Sequence, residues 1–340
     1  MTVRGVRAAA AASGRWLPGL IAALVIAAAA HFLADHYGAP VLLFALLLGL
    51  AMNFLSEAPR CAPGLDIASR TLLRIGVALL GCRITLDQIV QLGWQPVALV
   101  VSAVILTILV SVALARLMGF NGLFGLLSGG ATSICGASAA LALSAALPGH
   151  PLKARATAFT VIGVSTLSTL AMILYPAVAR LAGLDDAEAG TFIGATIHDV
   201  AQVIGAGYAI SPEAGDRATI VKLLRVAMLL PVILSVGLLA RTRYGTGPDG
   251  DGARPPLLPW FMLGFLAIAA INSLGLLPAP AAAIGQEASR WALVTAIAAV
   301  GVKTRLSELA AVGLKPVILM ILETLFLAGI VLAAIKGGWL

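Results

Sequence analysis

Thr132, Ser133, Cys135 and Ser138 share a ten-residue stretch, Gly129 to Ser138, with Gly129, Gly130 and Gly136. Hydroxyls and a thiol can hydrogen-bond a ligand, and glycines let a backbone approach one. Glycine costs a helix interior about 1 kcal/mol relative to alanine, so the surrounding helix is expected to break near Ser133-Ile134-Cys135-Gly136. A helix restarting near Cys135 would aim free N–H groups and its positive dipole end at whatever lies beyond, an arrangement suited to an anion. A second polar group follows at His198, Asp199 and Gln202, directly after Gly194-Ala195-Thr196, which repeats Gly130-Ala131-Thr132. Helical spacing would line up Thr191, Ala195, His198 and Gln202 on one face. An imidazole titrates near neutrality, so His198 and Asp199 are candidates for proton coupling. Lys222 and Arg225 come next in the chain and could neutralise an anion at a cavity mouth. Glu323 is a further candidate for proton coupling, with no basic neighbour in its own apolar run. Small residues also serve plain helix packing, and terminal Lys and Arg usually snorkel. The density of the first stretch and its fainter second copy favour a functional break.

The elements that would carry these residues belong to a membrane. Of 340 residues, 60% are hydrophobic and only 11% charged, with a mean hydropathy of +1.03. Soluble domains carry about 25% charged residues. Apolar runs of spanning length fall at roughly 17–34, 40–56, 67–82, 94–117, 121–147, 156–180, 190–210, 218–240, 257–276, 287–302 and 314–335. The expected fold is an all-α polytopic membrane protein of ten or eleven segments, with inverted repeats and broken or re-entrant helices. It forms a single integral membrane domain over 1–340. The net charge of +7 comes from Lys and Arg scattered singly, which suits positive-inside anchoring and not nucleic acid. Arg4, Arg7 and Arg15 precede the first run, placing the N-terminus in the cytoplasm. The hydrophilic stretch 241–256 reads as a cytoplasmic linker.

An internal repeat is visible at an offset of 220 residues. Ser69-Arg70 recurs as Ser289-Arg290, and Gly81, Arg83 and Leu86 face Gly301, Lys303 and Leu306. Gly93, Pro96 and Val97 face Gly313, Pro316 and Val317, while Asn53 and Asn272 hold similar positions one segment earlier. The copies, near 40–117 and 257–335, lie an odd number of crossings apart and so run in opposite directions, as in secondary transporters. Cys61, Cys82 and Cys135 form no metal-ligand spacing, and neither a metal nor a cofactor is expected.

The runs at 130–140 (Gly-Ala-Thr-Ser-Ile-Cys-Gly-Ala-Ser-Ala-Ala), 197–204 (Ile-His-Asp-Val-Ala-Gln-Val-Ile) and Lys222-Leu-Leu-Arg225 resemble the YeiH-type sulfate exporters. These are bacterial inner-membrane proteins grouped with bile-acid symporters and sodium/proton antiporters. The likeness covers nearly the whole chain, with Asp199 where that family usually has Glu. It implies a bundle of inverted repeats that exports a sulfate- or sulfite-type anion. The reading is therefore a secondary transporter, not an enzyme, of a small inorganic or organosulfur anion, working by alternating access. Thr132, Ser133, Cys135, Gly136, Ser138, His198, Asp199, Gln202, Lys222 and Arg225 would form the substrate site. Expected partners are that anion, membrane lipid and a coupling proton or sodium ion, with a homodimer allowed. A passive anion channel is the alternative. An intramembrane hydrolase with Ser138 as nucleophile and His198 as base is a remote third, since the full Gly-x-Ser-x-Gly is absent.

Overall fold

A computed structural model describes residues 16–37, 40–85, 90, 92–147, 152–244, 260–305 and 313–339. In chain order the helices are α1 (Leu17–Tyr37), α2 (Val41–Ala51), α3 (Ala62–Asp66), α4 (Leu73–Leu79) and α5 (Gln95–Leu117). There follow α6 (Gly122–Ser133), α7 (Ala137–Ala146), α8 (Lys153–Leu181), α9 (Asp186–Thr196) and α10 (Val200–Ile210). The last are α11 (Pro212–Ala227), α12 (Leu229–Tyr244), α13 (Trp260–Ser273), α14 (Ala279–Lys303) and α15 (Leu314–Lys336). Among the described residues there is no strand. The arginines at 4, 7 and 15, Leu86, Leu306 and most of the 241–256 linker lie outside them. The protein is an all-α polytopic membrane protein. Helices over 17–37, 95–117, 155–181, 212–237 and 314–336 are each long and apolar enough to cross a bilayer, and shorter apolar helices run between them.

The chain divides into two compact units, one of residues 1–91 with 260–304, the other of 92–259 with 305–340. In the first, two glycines permit helix backbones to touch. A Cβ on Gly81 would lie 2.6 Å from Phe265 O and 2.9 Å from Ala269 N of α13. One on Gly301 would lie 2.5 Å from Leu46 O and 3.1 Å from Leu50 N of α2. Asn53 donates to Val302 O (2.7 Å) and Thr304 O (3.0 Å). Lys303 pairs with Asp66 at 2.6 Å, which Arg70 also reaches at 3.0 Å.

The second unit is built on two helical hairpins. In the first, Leu127 packs with Leu143 and Leu147, and Ala131 with Ala140. Numbers that fall along α6 as they rise along α7 mean that the two helices run antiparallel. In the second, Gly190 at the start of α9 and Gly207 near the end of α10 both abut Ala214 of α11, and Gly194 and Gly207 both abut Ala218. These helices also fold back on each other. The stretch 121–147 is thus a hairpin, not a single interrupted rod. At 1.5 Å per residue its arms of 12 and 10 residues reach about 18 and 15 Å, short of the ~30 Å apolar core of a bilayer.

The 29 residues of α8, about 43 Å long, join the two hairpins and show how they meet. Thr157 gives its hydroxyl proton to Lys153 O (2.8 Å) and accepts from Ser144 near the base of the first hairpin, at 2.7 Å. Val164 and Leu167 pack on Ala131 and Ala140 nearer its tip. Ser168 accepts the Asp199 N–H at the tip of the second hairpin (3.0 Å), and Tyr175 stacks on Phe192 toward that hairpin's base (centroids 5.3 Å apart). The hairpins therefore approach from opposite ends of α8, and their tips meet at its middle.

Candidate functional site

Each tip is a short non-helical bridge with a local cause. In the first, Gly136 has φ 64° and ψ −127°, a conformation side chains avoid. In the second, Ile197 is extended, and Asp199 caps α10 by accepting the Ala201 N–H at 3.3 Å. The single face expected for Thr191, Ala195, His198 and Gln202 does not exist. The bridge leaves Thr191 and Ala195 on α9, Gln202 on α10 and His198 between them.

The first arm of each hairpin ends in carbonyls that its turn leaves without helical partners. Two buried cations take them up. Lys222, fully buried, donates to Ile134 O (2.7 Å), Ile197 O (3.1 Å) and His198 O. Arg225, 1% exposed, donates to Ser133 O (2.9 Å), Thr132 O (2.9 Å), Gly194 O (3.1 Å) and Ile197 O (2.8 Å). Both were expected near the start of their segment. Because Ser211 caps and Pro212 opens α11 ten residues before Lys222, they lie deep in it instead. They touch both hairpins, and their positive charges answer two negative dipole ends.

The second arms begin with the opposite polarity. The α7 N-terminus has no side-chain cap, although the Ala139 N–H meets the Cys135 sulfur. Among the described residues no acceptor stands on the Ala137 or Ser138 N–H. Cys135 and Gly136 are buried, Ser138 is exposed, and Asp199 is partly so. Ser133 Oγ and Gln202 Oε1 are buried with no partner among the described residues. The Gln202 orientation follows from chemistry. Thr169 gives its hydroxyl proton to Ser165 O (3.0 Å), so it can only accept, from Gln202 Nε2 at 3.4 Å.

His198 is held at both nitrogens, Nδ1 by Thr132 O at 2.9 Å and Nε2 by Thr324 Oγ1 at 3.0 Å. Glu323 accepts from Ser128 (2.7 Å) and Thr132 (3.2 Å), so it pairs with hydroxyls of α6. Ten sequence candidates thus gather at the two tips, with Glu323 one layer behind them. Sequence reasoning missed Ser128, Ser168, Thr169 and Thr324. The signal for the first three is the density of Ser and Thr in apolar α8 and α6, whereas Thr324 is the single hydroxyl residue of α15, next to Glu323.

Two antiparallel helical hairpins meeting tip to tip inside a bundle of apolar helices define a polytopic membrane protein with an interrupted-helix core. The profile of the family described as "Conserved hypothetical protein 698" matches residues 18–320. A UPF0324 membrane protein of Chlorobaculum tepidum is 54% identical over 97% of this chain and 92% of its own. The UPF0324 membrane protein TauZ of Paracoccus denitrificans is 52% identical over 92% of each chain. One from Rhizobium meliloti is 50% identical over 93% of this chain and 91% of its own. No solved structure matches significantly. The chain belongs to this UPF0324 family of membrane proteins.

Proposed function

We propose that the protein is a secondary transporter of a small anion, working by alternating access in the bacterial inner membrane with its N-terminus in the cytoplasm. The observation that carries this reading is the sorting of charge at the tips. Lys222 and Arg225 consume the carbonyl ends of α6 and α9, leaving the N–H end of α7 uncapped beside exposed Ser138. An anion there would be held by the Ala137 and Ser138 amides and the Ser138 hydroxyl, with the Ser133 hydroxyl adding an unused donor. Oxoanions suit such a site because they accept many hydrogen bonds. The resemblance to YeiH-type exporters puts sulfate, sulfite and small sulfonates first among those to try.

An inverted repeat supports the same reading. Gly93 and Gly313 both have positive φ, 77° and 94°, each just before a helix with an early proline. The Gly81 contacts with Phe265 and Ala269 mirror the Gly301 contacts with Leu46 and Leu50, at the offset that relates Asn272 to Asn53. Counting the hairpins as re-entrant leaves the two copies an odd number of crossings apart, hence antiparallel. A channel fits less well, because Lys222 and His198 tie the tips together. A serine hydrolase fits poorly, because both His198 nitrogens face partners other than Ser138.

Purified protein in liposomes, given labelled sulfate, sulfite and sulfonates, tests the reading. Saturable flux with counterflow of at least one anion is expected. Unitary currents in a planar bilayer would favour the channel, and no flux of any anion would end the proposal.

A further inference from the structure

Behind the tips lies a cluster that the anion reading leaves unused. Glu323 is fully buried in mid-α15, and among the described residues no cation pairs with it. Lys222 and Arg225 point their donors at carbonyls instead. A buried carboxyl group needs either a positive partner or a proton. What surrounds it is oxygen: Ser128 and Thr132 from α6 at 2.7 and 3.2 Å, and Ser111 from α5. Ser111 also bonds Thr107 O at 2.6 Å, and its side chain lies where Gly129 leaves room for it. Thr107, one turn back on the same face of α5, has a fully buried hydroxyl with no partner among the described residues.

We propose that Thr107, Ser111, Ser128, Thr132 and Glu323 bind a monovalent hard cation, with the charge and oxygen preference of sodium. A proton needs one acceptor, whereas three helices bring hydroxyls and a carboxylate together here. A divalent ion normally draws more than one carboxylate. Thr132 belongs to both neighbourhoods: its hydroxyl meets Glu323 while its carbonyl receives Arg225 and His198. A cation at Glu323 would therefore brace the first hairpin tip and offset the cost of bringing an anion to it. The proposal gives the transporter reading a coupling ion, but the binding itself requires no transport.

The test uses the purified full chain in lipid nanodiscs, with chloride held constant and sodium exchanged for choline or potassium. Sodium is expected to raise the melting temperature saturably, with labelled sodium binding that potassium does not displace. Glu323→Gln should remove that binding. Thr107→Val, which keeps the shape and deletes one unpartnered oxygen, should weaken it about tenfold without lowering the sodium-free melting temperature. It decides the matter if Glu323→Gln does not fold. No saturable sodium binding by the wild type, undiminished binding in Thr107→Val, or a melting temperature that follows pH alone would each overturn the proposal. Sodium binding without anion flux would uphold this site and sink the transporter reading, and anion flux without sodium binding would do the reverse.

Discussion

The His198 ring donates its Nδ1–H to the main-chain carbonyl of Thr132, 2.9 Å away, so the tip of one hairpin grips the tip of the other. A carbonyl can only accept, which fixes that proton on Nδ1. Nε2 then faces Thr324 Oγ1, whose hydroxyl also lies 2.8 Å from Met320 O. With His198 neutral, Thr324 must turn its proton to Nε2. With His198 protonated, Nε2 donates and Thr324 keeps Met320. The protonation state of one imidazole is thus read by a neighbouring hydroxyl on α15.

This geometry makes His198→Gln informative. The amide can still donate to Thr132 O but cannot titrate, so flux should persist while its pH dependence flattens. Flux measured in liposomes between pH 5.5 and 8.5 checks this. A profile identical to wild type would make His198 a packing residue.

Gly136 should tolerate no side chain, for a backbone reason. An added Cβ would meet His198 O at 3.6 Å, an ordinary contact, but φ 64° with ψ −127° is strained for any L residue. Gly136→Ala is expected to cost about 1–3 kcal/mol, seen as a lower melting temperature, and to reduce transport. Gly136→Asn should not rescue it, because Asn favours a left-handed geometry with positive ψ. Wild-type stability in both variants would mean that the tip relaxes freely.

Lys222→Met should be among the most damaging single changes. It strands two buried carbonyls, Ile134 O and His198 O, and leaves Ile197 O to Arg225 alone, and each lost partner costs about 1–3 kcal/mol. Lys222→Arg should not restore stability, since a planar guanidinium does not match three carbonyls converging on one ammonium. Thermal melts of both variants in detergent check this, and a stable Lys222→Met would remove Lys222 as the joint between hairpins.

The two breaks were legible in the sequence because glycine and small polar residues crowd Gly129–Ser138 and a His-Asp pair interrupts an apolar run. That the broken stretches fold back was not legible, because an interrupted rod and a hairpin share one local composition. The pairing of Leu127 with Leu143 and of Gly190 with Gly207 through α11 decides it, and those are tertiary facts. The placing of Lys222 and Arg225 failed for a local reason. The polar turn Ser211-Pro212-Glu213 opens a helix rather than ending a loop, which places Lys222 and Arg225 well inside it, about three turns from its start. The Glu323 cluster was half visible: the carboxylate stood out, but its hydroxyl partners hid among ordinary helix serines and threonines.

Hairpins make a topological prediction that crossing segments do not. Single cysteines at Gly119 and Leu152, flanking the first hairpin, should react with an impermeant thiol reagent from the same face of the membrane. Those at Gly183 and Ser211, flanking the second, should both react from the opposite face. Residues 119 and 152 labelling from opposite faces would make 121–147 a crossing segment and undo the tip-to-tip arrangement.

The central claim is that an anion sits at the α7 N-terminus and is exposed to each face in turn. Ser138→Cys, with Cys61 and Cys82 replaced and buried Cys135 as the unreactive background, measures it in oriented vesicles. The account predicts that the new thiol reacts with an impermeant methanethiosulfonate from either face. It also predicts that saturating transported anion slows both reactions while leaving labelling at residue 119 unchanged. Labelling from one face only, or at a rate that no anion alters, would contradict it.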